Sequence, residues 1–169
     1  KCLQWKEGGR RGVIHILLSL RVTSMVLYTT GDTSTYPEKP PERGIRLHFL
    51  GGAGEVGNVG CILEDRTGTR LLIDYGLAPT KPPRYPSEAP FVTDAIMTHG
   101  HIDHIGMAPW LTGHGTNIHG TDLTAGVSEI MWADTYKVSD IEGYPLAWDK
   151  RDLEKALDSW TTHQFDTWF

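Results

Sequence analysis

The apolar run Asp94-Ala95-Ile96-Met97-Thr98 leads directly into His99-Gly100-His101-Ile102-Asp103-His104, and this junction constrains the chain more than any other stretch. A short apolar run of this kind reads as a buried strand. Side chains at i and i+2 on extended backbone point the same way, so His99 and His101 can grip one metal ion. Asp103 and His104, just past the strand end, can then face a second ion beside it. Neutral imidazole and carboxylate suit zinc, and a set without thiols argues against a closed structural site. The plainer alternative is a strand end with hydrogen-bonded structural histidines. Against it, four ligand-type residues share one short loop in a chain with 8 His in all. The pattern points to a catalytic metal centre.

The flanking sequence supplies a framework for that loop. Ile45–Leu50 reads as a strand ending in the Gly-rich loop Gly51–Gly57, where positive φ is easily reached. Val59–Glu64 and Arg70–Asp74 read as strands joined by the turn Asp65-Arg66-Thr67-Gly68. Leu77 to Pro90, with Pro79, Pro82, Pro83, Pro86 and Pro90, reads as an irregular surface loop. Ile105–Leu111 is expected to be a helix that starts at the metal site. Asn117–His119 is a short strand candidate. Thr121 can cap a helix running through about Tyr136, with Leu123, Val127, Ile130 and Met131 as its core face. Asp149 can cap a last helix through about Trp160, with Leu153, Ala156, Leu157 and Trp160 facing inward.

The first 43 residues read differently. They form an N-terminal extension without fixed structure, closed by the Pro-rich linker Tyr36-Pro37-Glu38-Lys39-Pro40-Pro41-Glu42. Gly12 to Leu27 is apolar but interrupted by Arg21 and too short to span a bilayer, so no membrane partner is expected. The chain opens on Lys1, and Met25 is a candidate start. Composition is that of a soluble globular protein, with 39% hydrophobic and 22% charged residues over 169 positions. The net charge of −5 is not that of a basic nucleic-acid binder, although two bound Zn²⁺ would make the field at the site positive. Cys2 and Cys61 are too few for a disulfide framework and fit reduced thiols in the cytoplasm.

His99-x-His101-x-Asp103-His104, preceded by Leu71-Leu72-Ile73-Asp74-Tyr75-Gly76, resembles the signature of the metallo-β-lactamase superfamily. The longer string Thr98 to Gly106 and the Phe49-Leu50-Gly51-Gly52-Ala53-Gly54-Glu55-Val56-Gly57-Asn58 segment are most similar to its RNA-processing branch, the β-CASP nucleases. The resemblance covers about residues 45 to 169. It implies an α/β fold, the N-terminal half of an αββα sandwich, over residues 44–169. It implies a di-zinc ribonuclease that cleaves phosphodiesters with a metal-bound hydroxide. His99 and His101 would bind the first zinc, and Asp103 and His104 the second. Asp103 would also orient the hydroxide, and Asp74 would hold ligand imidazoles in the right tautomer.

Some positions depart from the pattern. Asn58 stands where these nucleases often carry Arg or Lys, which leaves a phosphate contact there open. Glu55 reads equally as a support for the site or as a solvated carboxylate. The helix expected from Ile105 would point its positive end at the pocket and favour an anion. His48 reads as structural or exposed, and His114 and His119 as surface residues. Thr162-His163-Gln164 lacks the Gly-His string of the family's next ligand motif, so His163 is not assigned as a ligand. The remaining ligands and the large inserted domain of the nucleases have no match, so the chain reads as the N-terminal part of a longer enzyme. The expected partners are RNA and, for the full-length protein, a second copy of itself. Two rival functions keep the same motifs: a hydrolase of a thioester, lactone or lactam, and an inactive remnant.

Overall fold

A computed structural model describes residues 2–7, 10–15, 36 and 38–167. Cys2–Glu7 (β1) and Arg10–His15 (β2) pair antiparallel as a separate two-stranded sheet, within the stretch expected to lack fixed structure. Met25 and the rest of the Gly12–Leu27 segment beyond His15 lie outside the described residues.

The remaining strands make one mixed sheet in the order β3-β4-β5-β6-β7-β8. These are Ile45–Gly51 (β3), Gly60–Asp65 (β4), Arg70–Tyr75 (β5), Asp94–Ile96 (β6), Asn117–Gly120 (β7) and Trp160–Thr162 (β8). β3, β4 and β5 run antiparallel, while β5 through β8 run parallel. This is the expected α/β class, built on one six-stranded mixed sheet beside the separate β1–β2 pair. The β4–β5 hairpin turns as its sequence suggests: Asp65 accepts from Thr67 N and Gly68 N, and Gly68 takes φ 86°.

Registration explains the core. Ile62, Leu72, Ala95 and Ile118 are successive cross-strand partners from β4 to β7, and each is 0% exposed. A full aliphatic side chain in such a row contributes roughly 1.5–3 kcal/mol of burial free energy. Met97, Ile105, Ala108, Leu111 and Trp132 close over the same core.

The helices depart from expectation in informative ways. The helix foreseen over Ile105–Leu111 is two short pieces, Ile102–Ile105 (α1) and Ala108–Gly113 (α2), broken at Gly106-Met107 with Pro109 restarting the second. No continuous helix dipole therefore faces the loop, and that argument for an anion site falls. Asp122–Glu142 (α3) starts at the expected Thr121 cap but runs past Tyr136 until Gly143 adopts φ 73°. Its buried face is Thr124, Ser128, Trp132 and Ser139; of the expected apolar set only Met131 packs against the core, while Leu123 and Ile130 are 75% and 69% exposed. Small Thr and Ser side chains let the helix approach closely, and Trp132 anchors it by donating its indole N–H to Ile105 O at 2.9 Å.

Lys150–Asp158 (α4) carries a capping box built by Asp149 and Asp152. It stops before Trp160, because Trp160–Thr162 leaves the helix to pair with β7. No helix among the described residues is long and apolar enough to cross a membrane.

Candidate metal centre

The loop that carries the histidines is clipped between strand ends by backbone hydrogen bonds. Asp103 O accepts from Val59 N at 2.9 Å, Ile102 O from Leu77 N at 3.2 Å, and Tyr75 O from Met107 N at 2.8 Å. Gly76 makes this fit feasible, since a Cβ there would overlap the Asp103 carbonyl and the His104 amide. A Cβ on Gly100 would instead overlap the Cβ and Cγ1 of Val127, side-chain and not backbone atoms, where Val127 packs over the loop from α3. Gly76→Ala should therefore cost about 3 kcal/mol and loosen the loop, while Gly100→Ala costs less, as overpacking against backbone is harder to relieve. Thermal unfolding of both variants checks this; a Gly76→Ala protein as stable as wild type would refute the close seating.

β6 ends at Ile96, so His99 and His101 are not strand neighbours as expected. A turn brings them together instead. The His99 ring lies 4.7 Å from that of His101 and 4.0 Å from that of His104, centroid to centroid. His101 caps α1, and Asp103 and His104 occupy its single turn. Asp103 Oδ2 stands 3.8 Å from His104 Nε2. The four residues singled out by sequence thus gather at one place.

Asp74 sits beneath them at the end of β5, 4% exposed and with φ 56°. Its Oδ1 accepts from Thr98 N at 2.8 Å, and its Oδ2 lies 2.8 Å from both Thr98 Oγ1 and His104 Nδ1. The carboxylate faces Nδ1, so neutral His104 carries its proton there and keeps the Nε2 lone pair toward Asp103. The Asp74 hydrogen bond holds the His104 pKa above its ordinary value despite burial. His99 shifts the other way, lowered first by burial and then by the neighbouring His104 charge.

The donor set fits zinc in kind: three imidazoles and a carboxylate, with His104 Nε2 left open by its Asp74 bond. It is not a preformed cage. Among the described residues no group of three or more His, Cys, Asp or Glu is placed to hold an ion. Cys61 is a free cysteine whose thiol burial, helped by the Asp74 charge, pushes up to about 12, so it offers no thiolate.

The neighbouring residues resolve as follows. Asn58, 5% exposed with φ 42°, turns its amide to Glu55, which also takes Arg84 at 3.0 Å. Glu55 thus braces the Gly loop. Arg84, from the Pro-rich loop, is not singled out by sequence reading, because only the fold brings it beside Glu55. His48 is buried against Tyr36, and His114 stacks on Trp110. His119 lies 2.9 Å from His163 and 3.0 Å from Asp94, a group at the β6–β8 edge.

No family model matches the chain. It is 34% identical over 124 residues to transcription termination factor FttA of a Lokiarchaeum species, covering 67% of this chain and 19% of that protein. It is 27% identical over 145 residues to cleavage and polyadenylation specificity factor 73 of Drosophila melanogaster, covering 80% of this chain and 21% of that one. Ribonuclease J of Corynebacterium glutamicum matches at 33% over 87 residues, 44% of this chain and 12% of the relative. The chain spans about a fifth of the length of the first two. With Asp74 hydrogen-bonded to His104 of the His99–His104 loop, these relatives place the chain in the β-CASP branch of the metallo-β-lactamase superfamily.

Proposed function

We propose that this chain forms part of a metal-dependent ribonuclease that hydrolyses RNA phosphodiester bonds at a di-zinc centre. The observation that carries the reading is the convergence of His101 and His104 on His99, with ring centroids 4.7 and 4.0 Å from it, beside Asp103. His99 and His101 would hold one ion, and Asp103 and His104 the other. The choice of RNA is supported by the names of the relatives, a ribonuclease and a cleavage and polyadenylation factor among them. Zinc bound there would act as a Lewis acid on the phosphate and lower the pKa of an attacking water toward ~7.

The chain's own residues have separate tasks. Asp74 holds the Nδ1 proton of His104 and so presents Nε2 for ligation. Asp103 Oδ2 can take the proton of the attacking water. Arg84, with its guanidinium side chain 57% exposed beside the Gly loop, suits the phosphate backbone.

Zinc-loaded protein should shorten 5′-monophosphorylated single-stranded RNA. His101→Ala and a chelator should each reduce the rate by more than the ~10–100-fold that loss of an outer partner costs. Turnover of a thioester with RNA left intact would replace this reading with the small-molecule hydrolase.

A further inference from the structure

We propose that Thr98 is a positioning residue that sets the tautomer of His99 and thereby frees its Nε2 for a metal. The argument is a proton count. The Thr98 hydroxyl has one proton and can accept through its oxygen. Its Oγ1 lies 2.8 Å from Asp74 Oδ2 and 3.0 Å from Asp74 Oδ1, and 3.0 Å from His99 Nδ1. The carboxylate oxygens only accept, so the hydroxyl proton goes to Asp74. Turned the other way, Oγ1 would face two acceptor oxygens with no proton between them. Toward His99 the hydroxyl can therefore only accept, and His99 must carry its proton on Nδ1.

One carboxylate thus orients two imidazoles: His104 directly, and His99 through Thr98. Asp74 is kept in place independently by Thr98 N, which donates to Oδ1 at 2.8 Å. Removing the hydroxyl alone therefore isolates its effect. With the acceptor gone, His99 is free to move its proton to Nε2, the atom a metal needs.

The assignment for His99 stands on hydrogen bonds alone; its consequence for zinc rests on the metal reading proposed above. Long-range ¹H–¹⁵N spectra of the metal-free protein, at a pH where the imidazoles are neutral, report both tautomers. Wild type and Thr98→Ser should show His99 protonated on Nδ1. Thr98→Val and Thr98→Ala should show it mainly on Nε2, with His104 unchanged as the internal reference. Competition with a chromophoric chelator should show zinc affinity about 10–100-fold weaker in Thr98→Val and Thr98→Ala. In Thr98→Ser it should change less than about threefold, well short of that loss. His99 remaining on Nδ1 in Thr98→Val would overturn the proposal. So would Thr98→Ser weakening zinc as much as Thr98→Val, since packing would then explain the loss. If the tautomers respond as expected but wild type binds no zinc, Thr98 keeps its role and the metal reading falls.

Discussion

Asp74→Asn should leave the protein folded but weaken zinc binding by about 10–100-fold, with RNA cleavage falling at least as far. The substitution keeps the shape, and Asn tolerates the left-handed backbone that Asp74 adopts at φ 56°. What changes is the pattern of donors and acceptors. Every partner of Asp74 arrives as a donor: Thr98 N, Thr98 Oγ1 and His104 Nδ1. An amide offers only one oxygen. If that oxygen keeps the Thr98 amide, the NH₂ faces His104 and drives its proton to Nε2, where a metal should bind. If the amide flips, its NH₂ meets Thr98 N–H, donor against donor. Either arrangement loses hydrogen bonds worth roughly 1–3 kcal/mol.

The pH dependence adds a second signature. The His104 pKa is raised above its ordinary 6.5 by the Asp74 hydrogen bond. In metal-free protein this pairing stabilises the fold fully below that ordinary value, and the benefit is lost as pH rises through the raised one. Zinc binding runs the opposite way, because the extra proton must leave before His104 can ligate. The stability gap between wild type and Asp74→Asn should therefore narrow as pH rises past the His104 pKa, while the gap in zinc affinity widens. Calorimetric unfolding and zinc titration across this range test both. Wild-type zinc affinity in Asp74→Asn would remove Asp74 from the site.

The ligand loop was legible because its chemistry is local: four ligand-type residues within six positions need little fold information to be noticed. Asp74 is legible only through resemblance, and Thr98 reads in sequence as no more than the last residue of a strand. Its role depends on β5 and the loop meeting, which no spacing reveals. The misread face of α3 has a related cause. Leu123, Val127 and Ile130 have the periodicity of a core stripe, but Trp132 and its bond to Ile105 O turn the helix the other way. The large aromatic outweighs the aliphatic pattern, and Thr124, Ser128 and Ser139 are small enough to be buried with it. The start of β8 reads as the end of the last helix because three residues, Trp160–Thr162, are too few to show alternation. The Pro-rich loop reads as irregular from its prolines, yet its delivery of Arg84 to Glu55 belongs to tertiary structure alone.

The largest effect on stability should come from a residue far less conspicuous in sequence, Glu64. It is 0% exposed on β4, directly opposite Arg46 of β3 and Arg70 of β5 in the strand register. Its oxygens take Arg46 at 2.7 Å, Arg70 at 2.9 Å and the Tyr36 hydroxyl at 2.9 Å. Arg46 also donates to Lys39 O, so this group ties the chain before β3 onto the sheet. Burial, reinforced by the Glu64 contact, pushes the Tyr36 hydroxyl up to about 12, so it remains a donor at any physiological pH. Glu64→Ala leaves the nearly buried Arg46 guanidinium without its carboxylate, and stranding one member of a buried pair costs about 3–5 kcal/mol. For a domain of this size that corresponds to a fall in Tm of roughly 10 °C or more. Replacing the buried pair with apolar residues of similar volume, Arg46→Met with Glu64→Leu, should recover part of the loss, because the desolvation penalty of that pair disappears along with its attraction while Arg70, 26% exposed, can turn to solvent. Thermal unfolding of the single and double variants decides the matter. A Glu64→Ala protein within about 1 kcal/mol of wild type would mean that water reaches Arg46 and that the buried charge row does not hold the sheet edge together.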